Sequence, residues 1–173
     1  MRGVRVPGGG DARPGPRRLM PTPAKLVAAI AMALVGWATG EAYLRFSIDA
    51  GAAPALLREV GAALGLVIGW RVLGSAATGP RGKGDRLMQG MTAGLTSAAI
   101  LVCLGLALHA VEAVVVSPPA GFGVQTLDTV LADLVEAVLD AARGLVEPRI
   151  LGVVFGGGAF AGLAAGVAGR IWW

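Results

Sequence analysis

The chain has 173 residues, 55% of them hydrophobic and only 15% charged, with a mean hydropathy of +0.69; a soluble domain usually carries about 25% charge, so a single membrane-embedded domain is expected. The net charge of +4 gathers in an N-terminal block (Arg2, Arg5, Arg13, Arg17, Arg18 and Lys25 against Asp11), not in a basic patch interleaved with aromatics, which excludes a nucleic-acid partner. One cysteine, Cys103, and one histidine, His109, exclude an intramolecular disulfide and most metal-site arrangements, and no metal or cofactor is expected.

Residues 1–19 are rich in Gly, Pro and Arg. They form a basic leader too poor in apolar residues to build a core, which predicts disorder. Met20 is an equally good start of translation, in which case the leader is not translated. From Leu26 to Tyr43 the chain is free of charge until Glu41, giving a first span at about 26–43 that nearly crosses a hydrocarbon core of about 30 Å. The competing reading is a cleaved signal peptide, with a basic start and small residues at Ala38 and Gly40. The run is longer than the usual apolar region of about 7–15 residues, which favours the span.

A short polar loop carries Arg45 and Asp49. Pro54 suits the first turn of a helix, and a second span is predicted at about 54–73. It repeats glycine at Gly61, Gly65 and Gly69 and ends at Trp70 and Arg71, a pairing that anchors a helix at a membrane surface. After a hydrophilic loop with Arg81, Lys83, Asp85 and Arg86, a third span runs from about 88 to 116, where Ser117, Pro118 and Pro119 end it.

The next helix, at about 127–146, is of another kind. Leu127, Val130, Leu131, Leu134, Val135, Val138, Ala142 and Leu145 recur at helical spacing, while Asp128, Asp133, Glu136 and Asp140 take the opposite side. Four acids forbid a span, so this is an amphipathic surface helix. It either lies on the membrane with its apolar side down or caps the ends of the spans as a lid. Pro148 ends it. A fourth span at about 150–169 closes on Arg170, Trp172 and Trp173, a second set of interface anchors. The expected fold is therefore all-α: a four-helix transmembrane bundle within residues 20–173, with one amphipathic surface helix between spans three and four.

Charge orients the bundle. The leader is positive. The segment from Glu41 to Glu59 sets Glu41, Asp49 and Glu59 against Arg45 and Arg58. The loop after span two sets Arg71, Arg81, Lys83 and Arg86 against Asp85, and the segment from Asp128 to Arg149 is acidic again. Positive and acidic segments alternate, which places both termini in the cytoplasm and the amphipathic helix on the far side.

Two glycine strips stand out. Gly61, Gly65 and Gly69 share a face of span two, and Gly158, Gly162 and Gly166 share a face of span four; Gly36 and Gly40, and Gly90 and Gly94, add shorter pairs. In lipid, helices associate through close contact that small residues permit. Spans two and four are thus the expected close pair. The strips serve either packing within one subunit, the preferred reading, or a homo-oligomer face; the lipid bilayer is the other partner expected.

Three stretches carry a family resemblance: Met20-Pro21-Thr22-Pro23-Ala24-Lys25-Leu26-Val27-Ala28-Ala29, Gly69-Trp70-Arg71-Val72-Leu73-Gly74 and Glu147-Pro148-Arg149-Ile150-Leu151-Gly152. In this order and spacing they resemble the TrgA family, small bacterial integral membrane proteins associated with tellurite resistance. The resemblance covers about residue 20 to the end and implies an inner-membrane protein with a role in that resistance; it implies no mechanism and no catalytic residue. The leader lies outside the pattern, and Glu147 stands where Asp is expected, which keeps the carboxylate.

Chemistry-bearing residues are sparse. Cys103 lies mid-span, where a thiol that reduces or binds tellurium oxyanions competes with inert packing; a reactive thiol should be accessible and acidic. His109 and Glu112 are three apart and share a helix face, as a proton-shuttling pair, half of a weak metal site, or a polar pair at the interface. Arg58 and Arg71 either attract an anion or anchor the helix ends. Nothing resembles a nucleophile with its base or a phosphate-binding loop, and Gly156-Gly157-Gly158 lacks the strand and acid of a dinucleotide site, so no enzyme is expected. The ranked expectations are a non-enzymatic membrane protein supporting tellurite resistance, a subunit of a small-ion transporter or channel, and a membrane thiol reductase using Cys103.

Overall fold

The computed structural model describes residues 22–46, 56–77, 86–116 and 127–171. The basic leader, Pro54, most of the loop with Arg81, Lys83 and Asp85, the Ser117–Pro119 stop and Trp172–Trp173 lie outside the described residues. Five helices make up the described chain: α1 (Pro23–Phe46), α2 (Leu57–Ala77), α3 (Arg86–Val116), α4 (Leu127–Leu145) and α5 (Pro148–Ile171). All but α4 are long and apolar enough to cross a membrane, and the chain is an all-α, multi-pass membrane protein.

Prolines set two of the starts. Pro23 and Pro148 both stand at the first helical position, where the missing N–H costs no hydrogen bond and the fixed φ suits the helix. The Thr22 carbonyl accepts from the Lys25 and Leu26 amides at 3.0 and 3.2 Å, and the Glu147 carbonyl accepts from Ile150 and Leu151 at 3.0 and 3.1 Å. Pro148 thus opens α5 as well as closing α4, and both α1 and α5 begin earlier than the apolar run alone indicates.

The helices stand in a ring, α1 beside α2, α2 beside α3, α3 beside α5, and α5 beside α1. The tight pairs are α1 with α2 and α3 with α5. Spans two and four are diagonal, which corrects the expectation that they form the close pair. Each glycine strip has found another partner: α1 and α3 offer their own small residues, Gly36 and Gly94 among them, at the matching heights. α2 and α5 approach only near their ends, where a Cβ on Gly169 would lie 2.7 Å from the Ala77 carbonyl oxygen.

Small side chains fill the centre. Ala28, Met32, Val35, Ile68, Leu73, Leu101, Ala161 and Ala165 form one buried cluster; Ala42, Ala98, Ile150 and Val154 form a second. The large apolar residues point outward instead: Phe160 is 72% exposed and Leu34 64%. In water such a surface would drive aggregation, whereas lipid tails solvate it at no cost. Hydroxyl side chains within the spans bond to their own helix. The Ser97 hydroxyl, wholly buried, donates to the Ala93 carbonyl at 2.8 Å, and Thr39 donates to Val35 at 2.7 Å, as a span without water requires.

Two turns depart from α geometry. Gly69–Leu73 in α2 and Gly152–Gly156 in α5 are π-helical, each widening the helix by one residue. In α2 the Gly74 amide donates to the Gly69 carbonyl, five residues back. That extra residue explains the glycine spacing. Gly61, Gly65 and Gly69 are four apart and Gly74 is five further on, yet all meet α1: a Cβ on Gly74 would sit 3.0 Å from Lys25 Cγ.

α4 packs on α3, burying Ala141. It leaves Leu127, Leu131, Val135 and Leu139 exposed, a straight stripe four residues apart. One apolar edge lies against the bundle, where Leu145 packs beside the Ala42–Val154 cluster, and the other stays exposed.

Candidate functional site

The tight pairs are built from the glycines singled out in the sequence. On α2, a Cβ on Gly61 would lie 2.6 Å from the Gly36 carbonyl oxygen, one on Gly65 2.2 Å from that of Met32, and one on Gly69 2.5 Å from that of Ala28. On α5, a Cβ on Gly158 would lie 2.6 Å from Ala98 Cβ and one on Gly162 2.0 Å from the Gly90 carbonyl oxygen; Gly166 is buried in the same seam, its Cα 3.4 Å from a Cβ built on Gly90. No real Cβ fits at such distances, so within this chain the two strips are occupied by backbone. They are packing seams.

Between α1, α2 and the second half of α3 lies a half-open cavity of about 710 Å³, bordered at one end by Ala141 and Leu145 of α4. Its walls are Gly36, Gly40, Gly61, Leu57, Val60, Leu64, Leu101 and Leu106, with Gly105 of α3 beside them. A Cβ on Gly105 would meet nothing within 4 Å: here the missing side chain leaves space that no neighbour fills. Thr39, Tyr43, His109 and Glu112 bring the polar atoms, and the Thr39 hydroxyl is already engaged with its own helix. The result is an apolar slot with a polar end next to α4.

His109 and Glu112, paired by spacing in the sequence, are thus brought together on the cavity wall, each partly buried. Neither makes a hydrogen bond or ion pair among the described residues. Cys103 is elsewhere, exposed on the outer side of α3, where in a bilayer it meets lipid tails. Trp70 is partly buried and Arg71 exposed at the start of the π turn, and Arg170 is exposed near the end of α5; Trp172 and Trp173 lie outside the described residues. Among the described residues no group of three or more His, Cys, Asp or Glu lies together as metal ligands.

Beside the cavity stands an ion cluster that the charge count along the sequence did not resolve. Glu41 accepts from Arg45 Nε at 2.6 Å and from Arg58 Nη1 at 2.8 Å. The first pair is visible in sequence as an i,i+4 Glu–Arg spacing. The second joins α1 to α2 across the loop and has no local signal. Arg58 stacks its backbone on Gly40, a cavity residue: a Cβ there would lie 3.0 Å from Arg58 Cα. Its Nε is buried and has no hydrogen-bond partner among the described residues. Nearby, the Arg149 guanidinium lies 5.2 Å from the centre of the Phe46 ring, a cation–π contact that ties the start of α5 to the end of α1. Comparison of the chain with family models, with curated proteins and with solved structures finds no match.

Proposed function

We propose that the chain is a multi-pass protein of a bacterial inner membrane that contributes to tellurite resistance without catalysing a reaction itself. The observation that carries this reading is the resemblance of its three stretches, 20–29, 69–74 and 147–152, to the TrgA family. Their placement supports it. The first two meet face to face, Gly69 against Ala28 and Gly74 against Lys25, and the third buries Ile150 against the end of α1. These are assembly contacts, so the stretches that mark the resemblance are also the stretches that hold the bundle together.

In this reading the positive loops lie in the cytoplasm with both termini, and α4 lies on the outer side. A role through the envelope or a partner protein fits a bundle whose ionisable groups sit at its ends. The thiol alternative rests on Cys103, which is exposed, and one substitution separates it. In a deletion strain, tellurite tolerance is expected to fall and to return with the full chain and equally with Cys103→Ser. Unchanged tolerance on deletion overturns the resistance role. Rescue by the parent but not by Cys103→Ser overturns the non-enzymatic role in favour of the thiol.

A further inference from the structure

The cavity beside α4 poses a physical question. Its surface is almost wholly apolar, so water entering it would find too few of the two to four polar partners it needs. A half-open space of about 710 Å³ along a membrane-spanning bundle must also be filled from outside for its walls to gain the contacts that close packing supplies. The medium around a span consists of hydrocarbon chains, and the volume falls in the range of about 300–1,000 Å³ typical of small-molecule sites. An alkyl chain satisfies the slot where water does not.

The polar end decides which molecule brings that chain. Among the described residues the one formally charged side chain on the cavity wall is Glu112, which attracts an ammonium group and repels an anion. Just outside the wall, where the Arg58 backbone packs on the lining residue Gly40, two guanidinium groups share a single carboxylate, Arg45 and Arg58 on Glu41. That cluster carries a net positive charge, and the buried Arg58 Nε is a donor without an acceptor among the described residues. A carboxylate on the wall and surplus guanidinium beside its rim complement a zwitterion.

We propose that the cavity is a binding site for a zwitterionic phospholipid with a primary ammonium headgroup: one acyl chain enters the slot along Gly105, the ammonium meets Glu112, and the phosphate lies toward Arg58. The site is independent of the tellurite reading, since it rests on the cavity and its charges alone.

Gly105 makes the test clean, because a larger side chain there enters open space and not a helix seam. The full chain, purified in a non-ionic detergent, is given equal amounts of phosphatidylethanolamine and phosphatidylglycerol and weighed intact by native mass spectrometry. One phosphatidylethanolamine per chain is expected to survive conditions that strip phosphatidylglycerol, with a preference of about tenfold, the scale of one charge-assisted hydrogen bond. Gly105→Phe is expected to abolish retention of either lipid, with Gly105→Leu as the milder filler. Glu112→Gln is expected to keep a lipid in the slot and bring the preference to about one to one. Equal retention of both lipids by the parent chain overturns the headgroup assignment. Undiminished retention in either folded Gly105 variant overturns the cavity as the site, and so does failure of both variants to fold, which would mean that position 105 has no space beside it.

Discussion

Glycine does two opposite jobs in this chain, and the difference lies in what faces each missing side chain. At Gly162 a single methyl group would meet the Gly90 carbonyl oxygen at 2.0 Å, so the α3–α5 seam must part to admit it. Gly162→Ala is expected to lower stability by about 1–3 kcal/mol, the usual cost of overpacking a fitted contact. At Gly105 the same methyl group meets nothing within 4 Å, and Ala is the better helix former by about 1 kcal/mol. Gly105→Ala is therefore expected to leave the unfolding midpoint unchanged or to raise it. Both follow from one titration of the purified protein with a denaturing detergent; equal losses at the two positions would mean that neither seam nor cavity is as described. In sequence the two glycines are indistinguishable in kind. Gly162 could be assigned to a strip because Gly158 and Gly166 flank it at four-residue spacing. Gly105 has no such neighbours and carries no signal, because an empty space is a property of three helices at once. Glu41 is a similar case: its bond to Arg45 is written in the spacing, whereas its bond to Arg58 exists only because α1 and α2 fold back on each other.

At the scale of a helix, the π turn in α2 converts an irregular sequence into a regular face. Three glycines spaced by four and a last one spaced by five would not share a side of an α-helix, since the extra residue turns the fourth by about 100°. Widening the turn at Gly69–Leu73 absorbs that residue, and Gly74 reaches α1 at Lys25. Removing one residue inside this segment should restore the four-residue spacing and let an ordinary α turn form, with glycine still against α1. Deleting Val72 is accordingly expected to cost less stability than deleting Val67, which lies in the α-helical part and would rotate Gly69 and Gly74 away from α1 together. Unfolding midpoints of the two deletions compare them directly, and a larger loss for the Val72 deletion would count against the role given to the π turn. The existence and type of all five helices were legible from apolar run length and from the one amphipathic pattern at about 127–146. The ends were less so. Pro148 reads in sequence as a stop, but Glu147 caps a new helix through its carbonyl, and the same proline serves as its first residue.

For the molecule as a whole, the ring order is what periodicity could not supply. Glycine strips on spans two and four invite a direct pairing, because each offers a flat face to the other. Yet a flat face accepts any partner with small residues at the right height, and α1 and α3 both provide them. Short connections also favour sequence neighbours for α1 and α2, and α3 and α5 are joined through α4 at one end. Those constraints leave spans two and four across a diagonal, held apart by Met32, Val35 and Leu101 of the central cluster. The order is testable by covalent capture. A Cβ on Gly157 would stand 3.7 Å from Val35 Cβ, inside the range of about 3.5–4.5 Å that a disulfide accepts. With Cys103→Ser removing the native thiol, the pair Val35→Cys and Gly157→Cys is expected to oxidise readily in membranes, joining α1 to α5. The pair Val67→Cys and Leu163→Cys, on the outward sides of α2 and α5, is expected to stay reduced within one chain. Mass analysis of a non-reduced digest identifies the linked peptides. A 67–163 bridge within a single chain would place spans two and four side by side and require the ring to be redrawn; a 35–157 bridge fixes α1 beside α5, as the ring order requires.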